Sequence, residues 1–473
     1  MNIKQLNLIL LSLIFSVLSV NAEIKVASIL GDNMVLQRNS SVKIWGKATV
    51  GKKISVKTGW NNLQNQTTAN EKGEWLLTVK TTEAGGPYKI EIQSGKEKIQ
   101  LQNILLGEVW LCSGQSNMEM PVLGFPYQPV LGSNDALLDA DNPNLRLFTV
   151  KKAPMSTPQD TCNGKWEVAN AESVGKFSAV GYFYAKLLQQ KLKIPVGIIC
   201  SSVGGTRIEA WMNSKTLANF PEPLKLSSQE AREQNRPSHL YNGMIQPIIN
   251  YNIKGVIWYQ AESNRNNFKD YAALFTAMVA SWRSDFGVGN FPFYYVQIAP
   301  YSYGDSKGLQ TAYLREQQFK AMTTTPNSGM VSTLDIGSEG WIHPAEKQTV
   351  SKRLACWALS ETYNFKGISY KSPTYKSMEI KDSIVNIFFD NAEYGLTTFD
   401  KSVDCFEIAG KDSVFYPAKI LKLNNDFRKI QLMSDKVKVP IAVRYAFSNF
   451  PKTEGYLFST AGLPVPSFRT DNW

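Results

Sequence analysis

Ile104-Leu105-Leu106-Gly107-Glu108-Val109-Trp110-Leu111 is an apolar run that passes directly into Cys112-Ser113-Gly114-Gln115-Ser116-Asn117-Met118, a string rich in small, hydroxyl and amide residues. Near-continuous apolarity over such a length suits a strand buried on both faces of a parallel sheet. In an open parallel sheet, ligands bind beyond the carboxyl ends of the strands. The serines that close this run therefore stand where chemistry is expected. Val196–Cys200, Gly255–Tyr259, Phe293–Ile298 and Met330–Leu334 are similar runs. Tyr271, Leu274, Phe275, Met278 and Trp282 recur at spacings of three and four between them, and Ala179–Leu192 and Ala345–Leu359 share that helical pattern. Alternating strands and helices predict an α/β domain over residues 103–365, with helices covering a parallel sheet.

The flanks read differently. Over residues 23–102, short alternating segments (Ser41–Trp45, Lys53–Lys57, Trp75–Val79, Tyr88–Ile92) are broken by Gly51, Gly73, Gly85, Gly86 and Pro87. That pattern predicts a small antiparallel sandwich. Alternation returns over residues 366–473, in Met378–Phe389, Lys401–Ile408, Ile420–Leu432 and Val439–Phe447, and predicts a second β-rich region.

A chain of 473 residues is too long for one ordinary core. Hydrophobic residues at 43% and charged residues at 19% support order nearly throughout. Residues 1–22 read as an export signal, with Lys4, an apolar run from Leu6 to Val20, and Ala22 at a cut site. The run is short for a membrane span, so the mature chain is expected to be exported, periplasmic or extracellular, without one. The net charge of +11 is spread along the chain, which argues for a solvated basic surface and against nucleic-acid binding. Cys112, Cys162, Cys200, Cys356 and Cys405 form an odd, irregular set that fits neither a zinc site nor a dense disulfide framework; one disulfide stays open. Oligomeric state is not legible.

A serine becomes a nucleophile when a base takes its proton. The chain has two histidines. His343 precedes Pro344, a residue suited to the first turn of a following helix, and is the expected base. His239, in Ser238-His239-Leu240-Tyr241, has no strand end beside it and is expected to be structural. Attack on an acyl group places negative charge on oxygen, which calls for fixed N–H donors. The turn at Ser116, the pair Gly204-Gly205 after the second run, and the amides of Gln260 and Asn264 after the third are the candidates.

These residues resemble a known family. Gly107 to Met118 resembles the nucleophile block of the sialate O-acetylesterases, a branch of the SGNH hydrolases. Gly204-Gly205-Thr206-Arg207-Ile208-Glu209-Ala210-Trp211, Trp258-Tyr259-Gln260-Ala261-Glu262-Ser263-Asn264 and Ile342-His343-Pro344 resemble three further blocks in the same order. Phe406-Glu407-Ile408-Ala409-Gly410, Val443-Arg444-Tyr445-Ala446 and Phe468-Arg469-Thr470-Asp471 resemble its C-terminal pattern. The resemblance implies an SGNH-type three-layer α/β/α hydrolase domain, a covalent acetyl-enzyme, and no metal or organic cofactor. It implies Ser116 as nucleophile and His343 as base, with the Ser116 amide, Gly204 or Gly205, and Gln260 or Asn264 as the oxyanion hole. It also implies an O-acetylated sialic acid as substrate, with acetylated xylan or another glycan as the alternative.

Two departures stand out. Ala261 replaces a usual glycine. Resembling esterases often carry an Asp two or three residues before the histidine, where this chain has Trp341 and Gly340. Glu339 is the expected replacement, ahead of Asp335, with a main-chain carbonyl as the third option. Two other classes remain: a glycosidase built on carboxylates such as Glu209, Glu262 and Asp335, and a non-catalytic carbohydrate-binding protein.

Overall fold

A computed structural model describes residues 24–221, 232–305, 308–423 and 426–473; the expected export signal lies outside them. Among the described residues, seven strands form the central sheet. They are β1 (Glu97–Gly114), β2 (Asn142–Thr149), β3 (Trp166–Ala169), β4 (Val196–Ser202), β5 (Gly255–Tyr259), β6 (Phe293–Val296) and β7 (Ser328–Val331), in the order β3-β2-β4-β1-β5-β6-β7. All pairs are parallel except β3 with β2, at the edge. The chain leaves β1, builds one side of the sheet through β2 and β4, then crosses to β5 on the other side. This reversal opens a crevice at the carboxyl end of β1, where the loops after β4 and β5 converge.

Strand alternation sends side chains to both faces. Val109 and Leu111 enter a core with Leu274, Phe275 and Trp282 of α3 (Tyr271–Phe286). Trp110 and Cys112 enter another with Val180 and Tyr184 of α2 (Ala179–Leu192) and Val350 and Leu354 of α5 (Lys347–Trp357). Helix α4 (Gln310–Thr324) lies beside α3. Helices thus cover both faces. β2 and β3 are additions to the sequence-based expectation. Only Leu145 to Phe148 of β2 is buried, and Pro143 and Asn144 are exposed, so its apolar run is brief.

The N-terminal strands Ser41–Lys47, Lys53–Thr58, Glu74–Lys80 and Gly85–Ser94 cover the four alternating segments. The expected break between residues 102 and 103 falls inside β1. The first half of this strand pairs with Gly85–Ser94 and its second half with β4 and β5. One apolar cluster accordingly runs from Ile44 and Trp75 to Trp282.

The C-terminal sheet holds Thr374–Lys381, Ile384–Asp390, Phe406–Ala409, Phe415–Lys422, Lys429–Met433, Ala442–Tyr445 and Phe468–Arg469. The run from Lys401 forms a strand only from Phe406; before it, the Asp404 N–H donates to the Thr453 hydroxyl (3.0 Å). Arg444 holds Asp471 in a two-pronged pair at 2.8 and 2.9 Å, and Arg469 reaches Glu316 of α4 at 2.9 Å. The C-terminal block of the sequence is therefore a clamp on the α/β body. All five cysteines are free thiols, although Cys112 and Cys200 face each other across β1 and β4.

Candidate active site

β1 ends at Gly114, whose φ is +134° and whose missing side chain admits the Tyr259 carbonyl; a Cβ there would lie 2.1 Å from that oxygen. Only glycine fits. The chain then turns into α1 (Ser116–Glu119), a single helical turn that lifts Ser116 into the crevice. As the first residue of a helix, Ser116 has an N–H with no intrahelical acceptor, free to face a ligand. Its Oγ lies 2.8 Å from Nε2 of His343, which arrives on the loop between β7 and α5. That helix begins at Lys347, so Pro344 precedes it and stiffens the loop instead.

The partner at the other ring nitrogen is Gln128. Its Oε1 stands 2.5 Å from Nδ1 of His343. Phe125 and Gln128 exchange backbone hydrogen bonds at 3.0 and 2.9 Å, and the Phe125 ring meets the imidazole edge-on with centroids 5.3 Å apart. One tight loop after α1 thus supplies both the acceptor and the wall. Glu339 does not perform this role: it faces Lys452 at 3.4 Å on an exposed surface. Nor does Asp335, which is clasped by both guanidinium nitrogens of Arg353 at 2.8 and 2.7 Å. The neutral amide leaves His343 without an anion, and burial, followed by the nearby Lys347 ammonium, pushes its pKa down to about 4.

Beneath the serine lies a polar network that sequence reading did not anticipate. Asn117 donates to Glu262 Oε1 at 2.6 Å and to the Ile342 carbonyl at 3.1 Å, and Lys347 donates to its Oδ1 at 2.5 Å. Asn117 therefore ties the nucleophile turn to the residue preceding His343. All three side chains are buried. Burial raises the Glu262 carboxyl and lowers Lys347 to about 7, despite the opposing pull of each on the other.

Gly204 packs against the serine, since a Cβ added there would lie 3.2 Å from Ser116 Cβ. Its N–H donates to the carboxylate of Glu119. Gly205 is exposed, with φ +69°. The side chains of Gln260 and Asn264, expected as oxyanion donors, are engaged elsewhere. Gln260 Nε2 donates to the Thr206 carbonyl (2.9 Å) and to Asn264 Oδ1 (2.8 Å), while Asn264 Nδ2 donates to Glu209 (2.9 Å). Asn264 Oδ1 also accepts the Ile208 N–H at 2.9 Å. Fully buried, the two amides hold the Gly204-Gly205 loop in place. Ala261 has φ −179°, outside the left-handed region that favours glycine. The Met155 N–H donates to the backbone carbonyl of His239. None of the hydrogen bonds among the described residues joins His239 to Ser116 or His343.

Residues 106–356 match the family described as carbohydrate esterase, sialic acid-specific acetylesterase. The chain is 28% identical to the rat sialate O-acetylesterase over 511 residues, covering 93% of each chain. It is 28% identical to the human sialate O-acetylesterase, covering 98% of this chain and 95% of that one. The crystal structure of a carbohydrate acetylesterase from Xanthomonas citri superposes with a TM-score of 0.87 at 33% identity, covering 95% of this chain and 100% of that one. The chain belongs to the sialic acid-specific acetylesterase family of carbohydrate esterases.

As a member of this family it is a carboxylic ester hydrolase, and the three carboxylates nominated for a glycosidase are each engaged by other side chains. Glu209 is held by Asn264 and Asn267, Glu262 by Asn117, and Asp335 by Arg353. Among the described residues of this acetylesterase, no helix is long and apolar enough to cross a membrane.

Proposed function

We propose that the protein removes O-acetyl groups from sugars through an acetyl-enzyme formed on Ser116. The observation that carries this reading is the 2.8 Å contact between Ser116 Oγ and His343 Nε2 at the crevice of the sheet. His343 accepts the hydroxyl proton as Ser116 attacks the ester carbonyl carbon. Negative charge on the carbonyl oxygen is met by the N–H groups of Ser116 and Gly204. The C–O bond to the sugar breaks, and the imidazolium returns the proton to the departing alkoxide. Water, deprotonated by the same imidazole, then attacks the acetyl-serine and releases acetate. Gln128 accepts the hydrogen bond of the Nδ1–H throughout and keeps Nε2 free as the base. Apart from the pairing of the Gly204 N–H with Glu119, the contact of Ser116 with His343 supports this reading, and helices on both faces of the sheet fit the SGNH-type three-layer scaffold it calls for.

The substrate we favour is an O-acetylated sialic acid, with acetylated xylan or another acetylated glycan as the second reading within the same chemistry. Residues 1–22 would direct such an enzyme to the periplasm or beyond, where glycans are met. Acetate release from O-acetylated sialic acid, measured beside acetylated xylo-oligosaccharides, tests the substrate. Release of a reducing sugar without acetate would refute the esterase reading.

A further inference from the structure

Ser116 and Glu119 are the two ends of α1. Three residues apart on a helix, their side chains leave the same face. On that face Glu119 reaches across to the loop after β4 and takes the Gly204 N–H. A Cβ on Gly204 would lie 2.9 Å from this carboxylate oxygen and 3.2 Å from Ser116 Cβ, so the occupied N–H is next to the nucleophile. The loop that presents it is pinned from behind, where Gln234 donates to the Gly204 carbonyl and Asn235 to that of Gly205, each at 2.9 Å. The N–H direction is therefore fixed.

An anionic oxygen already rests where the oxyanion of a reacting ester would be received. Among the described residues, no lysine or arginine is within ion-pair distance of Glu119, Lys152 acting on it only from further away, and the carboxylate is half-buried, which leaves it able to turn to another donor. A sugar ester brings such donors in the hydroxyls beside its acetyl group; a simple aryl acetate brings none. We propose that Glu119 is a specificity-determining latch, closed on the Gly204 N–H in the free enzyme and drawn away by the hydroxyl groups of a polyhydroxylated ester. The inference rests on Ser116 as the nucleophile and Gly204 as an oxyanion donor.

The test compares kcat/KM for para-nitrophenyl acetate and for a mono-O-acetylated methyl hexoside in the parent, Glu119→Ala and Glu119→Gln. A single oxyanion donor is worth about 10²–10³ in rate. Freeing it should raise the aryl-ester rate in Glu119→Ala and lower the preference for the sugar ester by about tenfold or more. Glu119→Gln keeps the shape and an acceptor without the charge, and should move in the same direction by less. A preference within about twofold of the parent in both variants, or a parallel fall on both esters, would overturn the latch, the second result marking Glu119 as scaffold. Labelling by a serine-directed phosphonate separates the two levels of the argument. Failure to label Ser116 in the parent removes the nucleophile reading and the latch with it, whereas labelling with an unchanged preference overturns the latch alone.

Discussion

His343 Nδ1 lies 2.5 Å from Oε1 of Gln128, so a neutral amide rather than a carboxylate orients the imidazole facing Ser116. The carbonyl oxygen selects the tautomer with hydrogen on Nδ1, which leaves the Nε2 lone pair for the serine. It offers a dipole, not a full charge, to the imidazolium. Gln128→Ala should therefore cost about 10–100-fold in kcat/KM, less than the roughly ten-thousandfold seen where a triad carboxylate is neutralised. Its fold should be unaltered by circular dichroism. A loss under about twofold would show that the Phe125 wall orients His343 by itself.

The acid limb of activity follows from the protonation of His343. Its pKa is held down to about 4, first by burial and then by Lys347. The base is neutral above that value, so kcat/KM should stay level through the pH range of an ordinary imidazole, roughly 6 to 7.5, and fall only as pH drops through about 4. Gln128→Glu places an anion on Nδ1 and should move the limb to higher pH. A limb already at neutral pH in the parent would contradict the buried, cation-flanked setting.

Lys347 and Glu262 are a buried pair bridged by Asn117. Removing the ammonium alone leaves Glu262 uncompensated, and Lys347→Met should destabilise the fold by about 3–5 kcal/mol. Lys347→Met combined with Glu262→Gln removes both charges and should recover much of that loss in thermal unfolding. In the double variant the acid limb of activity should shift to higher pH, since the cation that disfavours the His343 imidazolium is gone.

Glu339→Gln should leave both activity and stability near parental values, because the ion pair Glu339 forms is with an exposed lysine. Asp335→Asn should act on stability. It strips the two-pronged partner from the nearly buried Arg353, a change worth about 3–5 kcal/mol by denaturant unfolding. Strong loss of turnover in Glu339→Gln at full stability would return the carboxylate to the mechanism.

Gly204→Ala should lower kcat by about 10²–10³ through displacement of the oxyanion donor. The added methyl meets Glu119 and Ser116 at 2.9 and 3.2 Å. Single-turnover acetylation is the step to measure, and an unimpaired rate would exclude Gly204 from the hole.

Much of this arrangement was legible from local pattern. The apolar run Ile104 to Leu111 marks a strand buried on both faces, and the hydroxyl and glycine residues after it mark a strand end. The same reasoning placed the loops after Val196–Cys200 and Gly255–Tyr259 beside Ser116. With two histidines in the chain, His343 was within reach by elimination and by family resemblance. Strand periodicity and turn residues are properties of a few consecutive side chains, so one sequence carries them.

The tertiary structure decided the partners. Gln128 lies in an irregular loop 215 residues from His343, and nothing in its neighbours distinguishes it from any other loop amide. Glu339 is close in sequence to His343 but pairs with Lys452 on an exposed surface. Gln260 and Asn264 carry the right donors, yet the closure of two loops upon each other engages those donors with Thr206 and Glu209. Lys347 carries no signal in the local sequence pattern, and is buried beside Asn117 because it opens α5. A hydrogen bond joins whichever groups long-range packing brings within 3 Å or so, and that proximity belongs to the folded chain alone.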